Sequence, residues 1–226
     1  MTLVNADTAQ RVVIDTTALP WSPTDRDGLE EKVLERDDGP GGGRCSRLLR
    51  CRAGLIFPQH RHAAGEEYLV LEGAIADEFG TYPTGTYVRN PPGSSHESVT
   101  EPGCVLFHKT GHMRPEDGER VVIATDAAEW LRGMRDGTSV IPLFRLGAES
   151  VALFRWDAES GFYPHRHIGG EEIFVLAGTL EDEHGVYPSG TWLRNPSHST
   201  HQPRSKEGCL FYIKSGHLGL GRPAPR

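Results

Sequence analysis

The chain is written twice. Residues 57 to 112 align without a gap on residues 162 to 217, each position meeting one 105 later, and about half of the pairs are identical. Further upstream "RVVIDTTALPW" at 11 to 21 meets "RVVIATDAAEW" at 120 to 130 at an offset of 109. The first copy therefore carries four extra residues, and the Gly-rich "GPGGGR" at 39 to 44 is the natural place for them, as a longer hairpin loop. A unit of about 105 residues is far longer than a solenoid repeat of about 20 to 50, so each copy is expected to fold around its own core. The polar "RPEDGE" at 114 to 119 is the expected junction, giving domains at 1–115 and 116–226.

The apolar segments are short, rich in Val, Ile, Leu, Tyr and Phe, and broken by Gly or Pro every several residues, as in "RLLRCRA", "EYLVLEG", "GTYVRN" and "CVLFHK". This pattern predicts an all-β sandwich or barrel. One segment, "TDAAEWLRGMRDG" at 125 to 137, has an N-cap and helix formers. Its counterpart "TTALPWSPTDRDG" holds two prolines that a helix interior excludes, so no helix is expected there.

Composition removes several functions. The formal net charge is −7 and Lys and Arg form no stripe, which argues against a nucleic-acid partner. No apolar run approaches the roughly 18 residues that span a bilayer, and the N-terminus lacks a basic or apolar leader, so a cytoplasmic protein without a membrane partner is expected. Cys45, Cys51, Cys104 and Cys209 form no CxxC pair and read as free thiols acting as small buried hydrophobes.

Chemistry concentrates in "PQHRHAAGEEY" and its twin "YPHRHIGGEEI". Side chains alternate faces along a strand, so His60 and His62 project to one side and Arg61 to the other. Glu66 re-enters extended structure after a short turn, and a strand beyond "NPPGSS" carries His96. The expected metal set is His60, His62, Glu66 and His96, repeated as His165, His167, Glu171 and His201. A lone histidine is usually a satisfied polar residue, but four ligand-type residues at matched spacing in two copies point to a metal. Three imidazoles and one carboxylate suit a divalent transition metal, zinc first and then iron(II), nickel or manganese, better than magnesium or calcium.

Two spacings carry a family resemblance. Gly54, His60, His62, Glu66 and Gly73 fill G-x5-H-x-H-x3-E-x6-G, and Gly85, Pro91, Gly93 and His96 fill G-x5-P-x-G-x2-H. Both are similar to the cupin motifs, and that resemblance implies two tandem double-stranded β-helix, or jelly-roll, barrels with a metal inside each. The second copy departs at Glu159, in place of the first glycine, and at "PSH" 196 to 198, in place of P-x-G, which puts loop geometry in question. Within cupins, "EEYLVLEGAIADEFGTYPTGTYVRNPPGSSH" resembles the ChrR-type domain. That module forms the zinc-binding part of anti-sigma factors, and similar domains occur in metal-dependent dioxygenases that cleave small ketones. Residues 1 to 44 contain no His or Cys, so the helical zinc domain that binds sigma is not expected, nor is a sigma factor as partner.

The neighbouring residues complete the expectations. Glu67 and Glu172 face away from the site and should pair with Arg61 and Arg166, while Asn90 and Asn195 should bond local backbone. Tyr68 should line the first barrel, where the second has Ile173, making it the candidate catalytic donor. Cys104 and Cys209 should be inertly buried, and His108, His112, His184, His198 and His217 should lie at the surface. The expected function is regulation or sensing of a small ligand or oxidant at the metal, with a dioxygenase acting on a small diketone or hydroxyketone as the alternative. Two similar barrels in one chain would form an intramolecular pseudo-dimer, leaving homodimerisation open.

Overall fold

The computed structural model describes residues 3–37, 39 and 43–218. It is all-β and contains no helix among these residues, so none is long and apolar enough to cross a membrane. Residues 125–137 are turns and a short strand at Leu131–Arg132, as the prolines of their counterpart predict. Residues 40–42 of the proposed longer loop lie outside the described residues. The strands flanking that loop, Leu29–Arg36 and Cys45–Cys51, do pair antiparallel.

Each copy builds the same curled pair of sheets. In the first, the long strand Glu66–Asp77 belongs to both. Its first half pairs with Thr86–Asn90 and Cys104–Thr110; its second half pairs with Gly80–Pro83 and Ser95–Thr100, which in turn pairs with Leu55–Arg61. The strand passes between sheets at Gly73, next to a bulge between Val105 and Leu106. Gly73 has φ 72°, and a Cβ there would stand 2.0 Å from the Gly103 carbonyl oxygen, so only glycine fits the corner. Tyr68, Val70, Val88, Leu49 and Leu106 fill the barrel interior, and Ile173, Val175, Leu193 and Phe211 do so in the second copy. The two-residue period of each strand aims these side chains inward.

The compact units are not a simple division at 115/116. One comprises Met1–Ala6 with Leu19–Ala128, the other Asp7–Ala18 with Glu129–Arg226. The leading strands are exchanged: Val12–Asp15 pairs with Thr191–Asn195 in the second unit, and Val121–Ala124 pairs with Thr86–Asn90 in the first. Internal periodicity reveals two copies, but "VVID" and "VVIA" fit either sheet edge equally well. Tertiary pairing alone decides which edge each occupies.

The departures in the second copy leave its loops intact. Glu159 and His198 adopt φ 59° and 71°, close to the 74° and 86° of Gly54 and Gly93. Each non-glycine residue in that left-handed region costs on the order of 1 kcal/mol. The loop bonds still match. His62 N donates to Ser94 O and Gly93 N to His62 O, and His167 N donates to Ser199 O and His198 N to His167 O.

Candidate metal centres

The strand register brings the histidines together. His60 lies directly opposite His96, and His165 opposite His201, while Glu66 and Glu171 lie opposite Asn90 and Asn195. In the second unit, ligand atoms of His165, His167, Glu171 and His201 all lie within 4.8 Å of one another. In the first, His60, His62 and His96 form such a group. Glu66 stands beside two of them, its Oε2 3.3 Å from His62 Nε2 and 3.8 Å from His96 Nε2. His60 and His165 are half-buried and the other six are buried, so each cluster opens outward on one side.

Four of the histidines have one ring nitrogen tied outside the cluster. His60 Nδ1 lies 2.9 Å from the Pro58 carbonyl, and His165 Nδ1 lies 2.8 Å from that of Tyr163. His96 Nδ1 and His201 Nδ1 lie 3.2 and 3.1 Å from carboxylate oxygens of Asp77 and Asp182. A carbonyl or carboxylate only accepts, so each Nδ1 donates and each Nε2 keeps its lone pair for the cluster. His62 Nε2 and His96 Nε2 are 3.0 Å apart, and buried His167 Nε2 and His201 Nε2 have no hydrogen-bond partner. Two nitrogens about 2.1 Å from one ion would stand about 3.0 Å apart at a right angle and about 3.4 Å apart in a tetrahedron. The residues present fit a transition metal.

The two sites differ behind the glutamate. Glu66 Oε1 accepts from His108 Nε2 at 2.8 Å and Oε2 from Asn90 Nδ2 at 3.0 Å. Arg47 donates to His108 Nδ1 and to Glu31, which fixes a neutral His108 with its proton on Nε2. In the second copy the positions of His108, Arg47 and Glu31 hold Ile213, Ala152 and Val140, so Glu171 keeps only the bond from Asn195 Nδ2, at 3.1 Å, among these. Tyr68 lies in the core of the first barrel, 3% exposed, and Ile173 takes its place in the second. Burial, then the Glu66 charge, pushes the Tyr68 phenol well above its ordinary value, so it keeps its proton and can donate it in a hydrogen bond.

Several expectations are corrected. Asn90 and Asn195 bond the glutamates instead of local backbone, because the register sets them opposite. Glu67 pairs with Arg89 at 2.7 Å and Glu172 with the Trp192 indole at 2.6 Å, whereas Arg61 and Arg166 are exposed. His108 and His112 are buried and the side chain of half-buried His217 is enclosed, since their strand and its end are covered on both faces; His184 and His198 are exposed as expected. All four cysteines are free and buried as expected. Sequence reasoning passed over Asp77, Asp182, Tyr82, Tyr187, Arg11 and Arg120. All are identical between copies, and polar identity at strand positions was the available signal.

The electrostatics predict an acid-sensitive fold. Burial, followed by neighbouring imidazoles, holds His62 and His167 below the ordinary imidazole value despite Glu66 and Glu171, and burial does the same for His108. The unfolded chain therefore takes up more protons below about pH 6.5. Glu66, Asp77 and Asp182 are depressed although burial opposes it, by hydrogen bonds from His108, Tyr82 and His201 respectively. Their contribution is present above about pH 4 and lost as pH falls further. Both effects have one sign, so the melting temperature of metal-free protein should fall steadily from pH 7 to 4. A flat profile between pH 7 and 5 would show that the imidazoles are not held neutral.

The architecture and the paired His/Glu clusters define a two-barrel cupin. Residues 9–114 and 118–219 each match the model of the ChrR cupin-like domain, and the chain belongs to that family. No curated protein matches it significantly. Among solved structures it is similar to a candidate dioxygenase from Nostoc punctiforme PCC 73102, with 15% identity, TM-score 0.79, and coverage of 96% of this chain and 88% of that one. It is also similar to salicylate 1,2-dioxygenase from Pseudoaminobacter salicylatoxidans, with 10% identity, TM-score 0.68, and coverage of 95% and 82%. Oxalate decarboxylase from Lactobacillus farciminis matches with 10% identity, TM-score 0.65, and coverage of 96% and 88%. At such identities the likeness concerns the fold, and the reactions these proteins are named for already differ.

Proposed function

We propose that each barrel binds one divalent transition-metal ion, through His60, His62, Glu66 and His96 in the first and His165, His167, Glu171 and His201 in the second. On this reading the protein is a regulatory bicupin that detects a small ligand or oxidant at the metal. The observation that carries it is the convergence of imidazole nitrogens and a carboxylate, with Nδ1 of His60, His96, His165 and His201 committed elsewhere. Such fixing of tautomer and ring orientation is what a metal-ligating histidine requires. A bound ion supplies a Lewis acid, and the half-buried His60 and His165 edges admit a small molecule.

A second reading, a dioxygenase that cleaves a small diketone or hydroxyketone, is favoured by the difference between the copies. Only the first site has the phenol of Tyr68 in its barrel and a histidine clamping the ligand glutamate. A buried protonated phenol can donate to a carbonyl oxygen of a bound ketone, and His108 restrains Glu66.

Metal analysis by mass spectrometry on protein purified anaerobically without chelator separates the readings. About two zinc ions per chain and no turnover is the expected result for a sensor. Iron, with ketone-dependent oxygen uptake lost in Tyr68→Phe, would favour the dioxygenase. Protein that purifies without transition metal and takes up none from zinc, iron(II), nickel or manganese would overturn both.

A further inference from the structure

The strand exchange delivers one side chain into each candidate centre. Arg120 lies just before Val121–Ala124, the strand the second copy gives to the first unit. Its Nε donates to Asn90 Oδ1 at 3.2 Å, and its Nη2 donates to Asp77 Oδ2 at 3.0 Å and to the Tyr82 hydroxyl at 2.6 Å. Tyr82 in turn donates to Asp77 Oδ1 at 2.5 Å. Asn90 holds Glu66 and Asp77 holds His96, so one guanidinium braces the supports of two candidate ligands.

Arg11 repeats this in the second unit from the strand given by the first copy. It donates to Asn195 Oδ1 at 3.0 Å and to the Tyr187 hydroxyl at 2.5 Å, with Asp182 Oδ2 at 3.8 Å. Asn195 holds Glu171 and Asp182 holds His201. Five residues (arginine, asparagine, tyrosine, aspartate and the supported histidine) recur in the same arrangement, with the arginine–aspartate contact a hydrogen bond in the first unit and a longer ion pair in the second, although the arginine is offset by 109 and the others by 105. Sequence separation did not keep this arrangement in register; the exchanged strand did.

We propose that Arg120 and Arg11 are crossed positioning residues: each sets the ligand geometry of the centre whose histidines belong to the other copy. The planar fork of arginine suits the task, because it reaches an amide oxygen and a carboxylate at once while staying charged. The consequence is that neither repeat alone contains a complete centre, and metal affinity at one set of histidines depends on the leading strand of the other. This rests on the metal-binding reading above, but its structural core can be tested without metal.

The experiment uses the full chain and zinc alone, with affinity read by competition against a chromophoric chelator. His167→Ala with His201→Ala silences the second centre, so the first is measured by itself. In that background Arg120→Ala should weaken zinc binding about 10- to 100-fold, whereas Arg11→Ala should change it by no more than about twofold. With His62→Ala and His96→Ala silencing the first centre, the dependence should reverse. Arg120→Lys should recover part of the lost affinity, because an ammonium reaches Asp77 but cannot also hold Asn90. An uncrossed dependence, or zinc binding indifferent to both arginines, would overturn the proposal. Should wild-type protein bind neither zinc nor iron(II), nickel or manganese, the metal reading fails, and the positioning is judged on metal-free protein by nitrogen-15 NMR. There the His96 Nδ1–H signal should be protected from exchange in wild type and lose that protection in Arg120→Ala. An unchanged signal would overturn the positioning role, which a change in melting temperature alone would not address.

Discussion

Protein carrying His62→Ala and His167→Ala together should lose its metal from both barrels, while Arg61→Ala should keep a full complement. His62 stands 3.0 Å from His96 Nε2 and 3.3 Å from Glu66, and His167 belongs to the four-residue group of the second unit. Burial keeps both imidazoles unprotonated near neutral pH, so the lone pair a metal needs is available without a proton to displace. Each substitution removes one of the four candidate ligands of its site. Arg61, one residue away, points outward and only donates to the Gly93 carbonyl, at 3.3 Å. A second readout follows from linkage: an ion that binds only folded protein stabilises it, so a chelator should lower the melting temperature of wild type and Arg61→Ala but leave the double variant unmoved. Full metal retention in the double variant would remove both histidines from the ligand set.

The largest loss of stability is expected at Arg89. This side chain is fully buried and joins Glu67, at 2.7 Å, to Asp117, and Tyr87 donates to the same Glu67 oxygen at 2.8 Å. Glu67 and Asp117 are themselves buried, so Arg89→Ala takes a buried positive charge away from two carboxylates in the interior. Removing one member of a buried ionic group costs about 3–5 kcal/mol. At a urea slope of about 2 kcal/mol/M this corresponds to a midpoint lower by roughly 2 M. Exposed Arg61→Ala should stay within about 0.5 kcal/mol of wild type. A loss below about 1 kcal/mol for Arg89→Ala would mean that water reaches the two carboxylates.

Such buried charge lies on the opposite face of the same strand that carries the candidate ligand. Glu66 and Glu67 are neighbours, and strand alternation sends one into the candidate metal centre and the other into the ionic cluster with Arg89. The consecutive pair of glutamates thus serves two faces, and Glu171, beside His201, with Glu172, bonded to Trp192, repeats the division.

Local chemistry fixed much of this in advance. Two copies of one domain, an all-β barrel, the inward face of each strand and the eight candidate ligands follow from periodicity and from the alternation of side chains, which depend only on backbone geometry. The persistence of all four ligand types in the second copy, despite Glu159 and His198 at glycine positions, was legible for the same reason, since an L-residue can be forced into those turns at modest cost.

Pairing between distant strands was not legible. Asn90 reads as a turn residue until the register sets it opposite Glu66, and His108 reads as a surface residue until Arg47 and Glu66 close around it. The exchange of leading strands was hidden for a deeper reason. Two nearly identical segments fit two nearly identical sheet edges, so local sequence leaves the choice degenerate. Only the folded chain resolves it, and with that choice comes the arginine at each centre.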